Sequence, residues 1–116
     1  MTSFELPLTE RHSEGGVVRL VATVSVDPAV VVEAIDRARR MLATVPEVIT
    51  AEVGVRRDVK TGAVVPGDYV LSLTFSDHVS LVRYATSAEH DEVHEWVMPH
   101  LLAEHVAMFE AVPVPR

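Results

Sequence analysis

The chain of 116 residues has no cysteine and a single lysine, Lys60. The absence of cysteine excludes disulfide bonds, thiolate metal sites and thiol nucleophiles. Cationic side chains are scarce overall, because 17 acidic residues against 10 basic ones give a formal net charge of −7. Nucleic-acid binding needs a basic face, and an anionic membrane surface attracts clusters of cations. We therefore expect neither nucleic acid nor a membrane as a partner.

Long apolar runs are also missing, and none reaches the length of a membrane span. The first residues, MTSFELPLTERHSEGG, lack the basic-then-apolar layout of a signal peptide, so we expect a cytoplasmic protein. Hydrophobic residues make up 48% of the chain, which is typical of a globular protein. The length fits one domain with a small core, of the kind that a second chain often completes.

Periodicity predicts an α+β domain with the element order β-α-β-β-α-β. Strands are predicted at residues 17–26, 48–57, 69–75 and 105–112. Asp27-Pro28 is typical of a helix start, and this helix extends to about residue 44. A short helix and then a second one fill the region between the last two strands. This order is the ferredoxin-like arrangement, in which four antiparallel strands carry the helices on one face.

Both ends of the chain lie outside the predicted domain of residues 17–112. Residues 1–16 form an extension in which Phe4, Leu6 and Leu8 alternate, which fits a short edge strand or a disordered tail equally well. Residues 113–116, with two prolines, form a C-terminal tail.

The first strand has two different sides. Its odd-numbered side is mixed and includes Arg19 and Thr23, whereas its even-numbered side is entirely apolar: Val18, Leu20, Ala22, Val24 and Val26. The helices cover one face of the sheet, and no element of the chain remains to cover the other. We interpret the even-numbered side as that uncovered face and predict a homodimer joined sheet to sheet.

Candidate chemistry lies between the last two strands. Thr86-x-x-Glu89 is a capping-box pattern, so we expect a helix break at Thr86. At about 100° per residue, His90, His94 and Val97 then share the apolar face of the second helix. The break allows Tyr84, on the first helix, to point into the same space as His90.

This pairing has a catalytic interpretation and a structural one. An imidazole on an apolar face loses hydration, which favours the neutral form that accepts a proton. A nearby phenol can stabilise an oxygen that gains charge. The structural interpretation is a core histidine bonded to a backbone carbonyl, with a tyrosine packed beside it; spacing alone does not separate the two. A pocket at these residues would favour an enzyme, and a filled core a non-catalytic protein.

Metal and serine chemistry are not expected. His90 and His94 have the i,i+4 spacing of two metal ligands, but the string HDEVH lacks the glutamate that follows the first histidine in zinc proteases. A third ligand would have to come from elsewhere, such as His100 or His105. No glycines flank a serine as in a nucleophile elbow.

The element order, the Tyr84…His90 spacing and the closing HVAMFE resemble the stress-responsive dimeric A/B barrel (Dabb) family over residues 17–112. The resemblance implies a ferredoxin-like protomer that forms a homodimeric α/β barrel. Many members have no assigned activity. Cyclases of the olivetolic acid type close a linear poly-β-ketoacyl chain by aldol condensation, with a histidine base and a tyrosine and without a metal or organic cofactor.

The resemblance implies that His90 and Tyr84 are the catalytic pair. Tyr69 and Arg19 stand where that cyclase has two further pocket histidines, and Ser87-Ala88 replaces the His-Pro of the family; these departures leave the substrate open. The candidate substrate-binding residues are Arg19, Thr23, Tyr69, Leu71, His94 and Val97.

The implied function is a cofactor-independent, polyketide cyclase-like enzyme acting on a hydrophobic substrate, with delivery as a thioester left open. Two alternatives remain. One is a non-catalytic, stress-linked or ligand-binding Dabb dimer. The other is a cofactor-free monooxygenase on the same barrel.

Overall fold

The computed structural model describes residues 17–115, which form four strands and three helices. The elements are β1 (Val18–Val26), α1 (Val31–Leu42), β2 (Val48–Arg57), β3 (Val64–Phe75), α2 (His78–Ala85), α3 (Ala88–Val97) and β4 (Leu101–Glu110). Short 3₁₀ turns precede α1 and follow α3. The predicted extension 1–16 lies outside the described residues.

The strands form one antiparallel sheet in the order β2-β3-β1-β4. Of the two central strands, β3 pairs with β2, the strand that precedes it in the chain, and β1 pairs with the distant β4. The predicted α+β class and ferredoxin-like arrangement are confirmed. The barrel that two such sheets would form is not tested by a single chain.

The helices pack against the even-numbered side of β1. Val18 lies in a cluster with Met41 of α1 and Tyr84 of α2, and Val26 lies in a second cluster with Val97 of α3. Our interpretation of this side as the uncovered face is wrong. An apolar strand side and amphipathic helices of the same chain bury each other without the entropic cost of bringing two molecules together. The odd-numbered side is the one left open.

Two strands begin earlier than predicted. β3 begins at Val64 rather than Tyr69, because the turn is confined to the Asp58 region, where the Asp58 carboxylate accepts bonds from the N–H groups of Lys60 and Thr61. Gly67 has a φ of 83°, and a Cβ there would collide with the carbonyl oxygen of Val26. Glycine thus allows β3 to pass the end of β1. β4 begins at Leu101 rather than at residue 105.

The helix starts follow local capping chemistry. The Asp27 carboxylate accepts a bond from the N–H of Ala29 at 3.0 Å and caps the 3₁₀ turn Pro28–Val30. α1 follows this turn and begins at Val31 without a side-chain cap, three residues later than Asp27-Pro28 predicts. α2 is capped by Asp77, whose carboxylate accepts from the N–H of Ser80 at 2.8 Å. Within residues 17–115 no helix combines the length and the apolar character needed to cross a membrane.

Candidate functional site

Tyr84 and His90 lie on either side of the junction between α2 and α3. The cap of α3 is Ser87 and not Thr86: the Ser87 hydroxyl accepts a bond from the N–H of His90 at 3.2 Å. Its backbone is extended (φ −74°, ψ 154°), as a cap requires, whereas Thr86 keeps φ −107° and ψ 7°. The Thr86 hydroxyl instead donates to the carbonyl of Val82 at 2.8 Å and so belongs to the end of α2.

The break brings the aromatic rings together as predicted. The ring of Tyr84 packs on Phe75, the last residue of β3, with centroids 5.4 Å apart. His90 meets Tyr84 edge-on, at 5.0 Å and an interplanar angle of 76°. His94, one turn further along α3, stacks on His90 at 5.9 Å and 16°. Three ring contacts thus connect the sheet to the outer surface of α3.

The imidazole of His90 has an unpaired nitrogen. Its Nδ1 is buried and has no hydrogen-bond partner among residues 17–115. The nearest Asp91 oxygen is 3.9 Å away, too far for a hydrogen bond. Burial lowers the pKa of His90, and His94 lowers it further, while Asp91 and Glu104 oppose this. The position in the first turn of α3 also disfavours a cation, because the positive end of the helix dipole is there. At neutral pH this ring is therefore a neutral proton acceptor.

The phenol of Tyr84 remains protonated. Its side chain is 3% exposed. Burial, with a smaller contribution from the Glu104 charge, raises the pKa of Tyr84 to about 12. Tyr84 can therefore donate a hydrogen bond at neutral pH to an oxygen that gains charge beside His90.

Glu104 of β4 is a neighbour that the sequence analysis missed. It pairs with Val24, which in turn pairs with Tyr69, so Glu104 and Tyr69 flank Val24 on the helix side of the sheet. Its carboxylate interacts electrostatically with Tyr69, Tyr84 and His90. The sequence predicts that the last strand begins at residue 105, which leaves Glu104 outside it. Extending the alternation back from Met108 and Val106 would have placed Glu104 on this side.

The predicted substrate-binding residues divide between the two faces of the sheet. Tyr69 and Val97 lie in one core cluster, with Leu71 packed against it, all on the side of Tyr84 and His90. Arg19 and Thr23 lie on the opposite side, paired with Thr74 and Val70 of β3. Because successive side chains of a strand point to opposite faces, one pocket cannot contain both groups.

The helices leave the helix side of β4 uncovered. We call Glu104, Val106 and Met108 the β4 strip; Val106 is 50% exposed and Met108 52%. The strip adjoins Leu20 of β1, which is only half-buried although β1 is a central strand. The side chain of His90 is 29% exposed, and Glu104 of this strip interacts with it electrostatically.

Two concavities near α3 and β4 are lined by other residues. One, of about 300 Å³, lies between α1 and α3 and includes Arg37, Met41 and Val93. The other, of about 520 Å³, lies at the end of β4 and includes His78 and Phe109. Neither lining includes Tyr84 or His90, and Tyr84 is packed in a core cluster with Phe75 and Leu73. By the criterion stated from the sequence, this filled core favours the non-catalytic interpretation.

The predicted absence of a metal site remains a prediction. In the described part of the chain, no three histidine, aspartate or glutamate side chains are grouped so that they could hold a metal ion. His90 and His94 stack with parallel rings and do not converge on a point.

Comparisons with known proteins show the fold. No protein-family model matches the chain, and no curated protein does either. Among solved structures, a dimeric ferredoxin-like protein of unknown function from Thermobifida fusca has a TM-score of 0.70 and 17% identity, over 84% of this chain and 92% of that one. The cofactor-independent oxygenase SnoaB from Streptomyces nogalater gives 0.68 and 17%, over 85% and 96%. A putative antibiotic biosynthesis monooxygenase from Caulobacter crescentus gives 0.67 and 20%, over 85% and 92%.

The fold is ferredoxin-like. At these identities the likeness establishes the fold and not the activity. The resemblance to the Dabb family is therefore confirmed at the level of fold, and membership in that family stays a prediction.

Proposed function

We propose that the chain is a cofactor-free enzyme that removes a proton from an acidic C–H group of a small hydrophobic carbonyl compound. His90 is the base and Tyr84 the hydrogen-bond donor. The observation that carries this proposal is the edge contact between a neutral His90, whose side chain is 29% exposed, and a protonated Tyr84.

The chemistry follows from the two pKa shifts. A carbon between two carbonyl groups is acidic enough for a neutral imidazole to deprotonate it. The electron pair of the C–H bond moves into an enolate, whose oxygen accepts a hydrogen bond from the Tyr84 hydroxyl. The negative charge of Glu104 stabilises the imidazolium that forms on His90.

Ring closure is the first fate that we propose for the enolate. Its carbon attacks a ketone further along the same chain, and the new alkoxide takes the proton held by His90. Loss of water then gives the unsaturated ring. The apolar side chains of Leu71, Val106 and Met108 would fold the chain so that the reacting carbons meet. Delivery of this substrate as a thioester remains part of the proposal.

Oxygenation is a second candidate, favoured by the names of the structural neighbours. SnoaB is described as a cofactor-independent oxygenase and a further neighbour as an antibiotic biosynthesis monooxygenase. An enolate can react directly with O₂ to form a hydroperoxide, which loses water to leave a new carbonyl group. This route and ring closure share the proton removal by His90.

The shared step can be tested without knowing the natural substrate. We expect the protein to accelerate the exchange of the α-protons of a hydrophobic β-keto ester for deuterium, followed by NMR in D₂O. The His90→Ala variant should lose about 10²–10⁴ of this acceleration, the usual contribution of a positioned base. His105→Ala is the matched control, because His105 pairs with Thr23 on the opposite face of the sheet.

Equal acceleration by the His90→Ala variant would contradict the role of His90 as the base, and no acceleration by the wild-type protein would leave a non-catalytic ligand-binding protein. If exchange is lost as expected, repeating turnover of a longer poly-β-keto compound with and without O₂ separates the two fates. Oxygen uptake favours the oxygenase, and ring closure in its absence favours the cyclase.

We also infer that a second copy of the chain covers the open side of the sheet. This side mixes polar residues such as Arg19 and Thr23 with Val21, Val70 and Phe109, and Phe109 is 48% exposed. Two of the similar structures are described as dimeric. Sedimentation velocity at micromolar concentration should give a dimer; a monomer with native circular dichroism would contradict this.

A further inference from the structure

We propose that Ser87 is a positioning residue, whose hydroxyl sets the contact between Tyr84 and His90 and holds the His90 ring out of water. Its part in catalysis rests on the proposed function. Its part in placing the ring does not, and can be measured on the protein without ligand.

One hydroxyl group connects the two proposed catalytic residues through their backbones. The Ser87 Oγ donates to the carbonyl of Tyr84 at 2.7 Å and accepts from the N–H of His90 at 3.2 Å. The backbone N–H of Ser87 also donates to the Tyr84 carbonyl, at 3.1 Å. The last turn of α2 and the first turn of α3 are thus joined at groups that a helix end leaves unsatisfied.

The two rings depend on this junction to different extents. Tyr84 is 3% exposed and packs on Phe75, so the core fixes its position independently. The Nδ1 of His90 has no partner among the described residues, and the ring is held by its contacts with Tyr84 and His94. The position of the His90 ring therefore depends on where the first turn of α3 begins, and Ser87 determines this.

The chain offers variants that separate positioning from helix capping in general. Ser87→Ala removes both hydroxyl bonds, and Ser87→Thr retains a hydroxyl that can make both. Asp77→Ala removes an equivalent cap, at the start of α2, that does not touch either ring. Thr86→Ala removes a bond from the neighbouring hydroxyl to the carbonyl of Val82.

The decisive measurement is the titration of His90, followed by NMR. Burial depresses the pKa of His90, and the charged or titratable groups that face it are Tyr84, His94, Asp91 and Glu104. All of these remain in every variant. Release of the ring into water should raise the pKa of His90 towards its usual value in Ser87→Ala. The pKa should stay at the wild-type value in Ser87→Thr, Asp77→Ala and Thr86→Ala.

Turnover provides the second readout. Misplacement of a base lowers the rate of the chemical step. In Ser87→Ala, kcat for the deuterium exchange of the β-keto ester should therefore fall by about tenfold or more, while KM changes little. Ser87→Thr should restore most of the lost kcat. An unchanged pKa of His90 in Ser87→Ala, or an equal shift in Asp77→Ala, would overturn the proposal. If the pKa shifts as expected but the wild-type protein shows no proton exchange, the positioning role stands and the proposed function fails.

Discussion

The two sides of the central strand β1 meet very different surroundings. On the even-numbered side Val18, Ala22, Val24 and Val26 are at most 3% exposed beneath the helices. On the odd-numbered side Arg19 is exposed, and Val21, Thr23 and Ser25 are half-buried with no element of residues 17–115 above them. The comparison shows that the more apolar side is the one that the chain covers by itself.

The candidate chemistry follows the covered side and not the polar one. Tyr84 and His90 belong to the helix layer, and Glu104 of β4 interacts with both electrostatically. A partly covered apolar surface desolvates an imidazole enough to keep it neutral, and still admits a ligand. The polar side chains of the open face lack this environment. A mixture of polar residues along a strand therefore does not indicate the face on which His90 lies.

The largest expected difference between the faces is in packing. Leu73, on the helix side of β3, is fully buried, and Leu73→Ala should cost about 2–5 kcal/mol of unfolding free energy. Val70→Ala, on the open side of the same strand, should cost much less in the monomer. Urea unfolding at a protein concentration too low for association measures both. Equal losses would mean that the open face is packed within one chain.

A smaller effect is expected from a charge on the open face. Val21 lies at its centre, between Ser72 and Ala107. If a second copy covers it, Val21→Glu should weaken dimerisation by about 100-fold or more, because an unpaired buried carboxylate costs several kcal/mol. Val32→Glu, at a residue 78% exposed on α1, is the matched control. Sedimentation over a concentration series measures both, and an unaffected dimer in Val21→Glu would place the interface elsewhere.

The smallest expected effect is on the pH dependence of stability, through His90 on the covered face. The pKa of His90 is lowered in the folded protein, mainly by burial, so the unfolded state binds more protons just below the usual histidine pKa of about 6.5. Stability should therefore fall as pH decreases through about 6.5 towards the folded pKa, and His90 should contribute no pH dependence above that window. His90→Gln should flatten this part of the profile, measured by urea unfolding at several pH values. An unchanged profile would mean that His90 is not desolvated.

The sequence by itself determined the α+β class, the order of strands and helices and the break between Tyr84 and His90. These features depend on local signals. Alternation in β1 is set by the geometry of a single strand, and the Asp27-Pro28 start by the first turn of a helix. The sequence also showed that the two sides of β1 differ.

Tertiary structure decided which side of β1 is inside, because that depends on where distant helices pack and not on the strand. For the same reason Arg19 and Thr23 lie away from His90, while Glu104, from the far end of the chain, joins it. The choice of Ser87 over Thr86 as the cap was decided by backbone angles, since either hydroxyl fits the local pattern. Local chemistry allows either Ser87 or Thr86 as the cap of α3, and either side of β1 as the buried side. Only the packing of the whole sheet and its helices selects one of each pair.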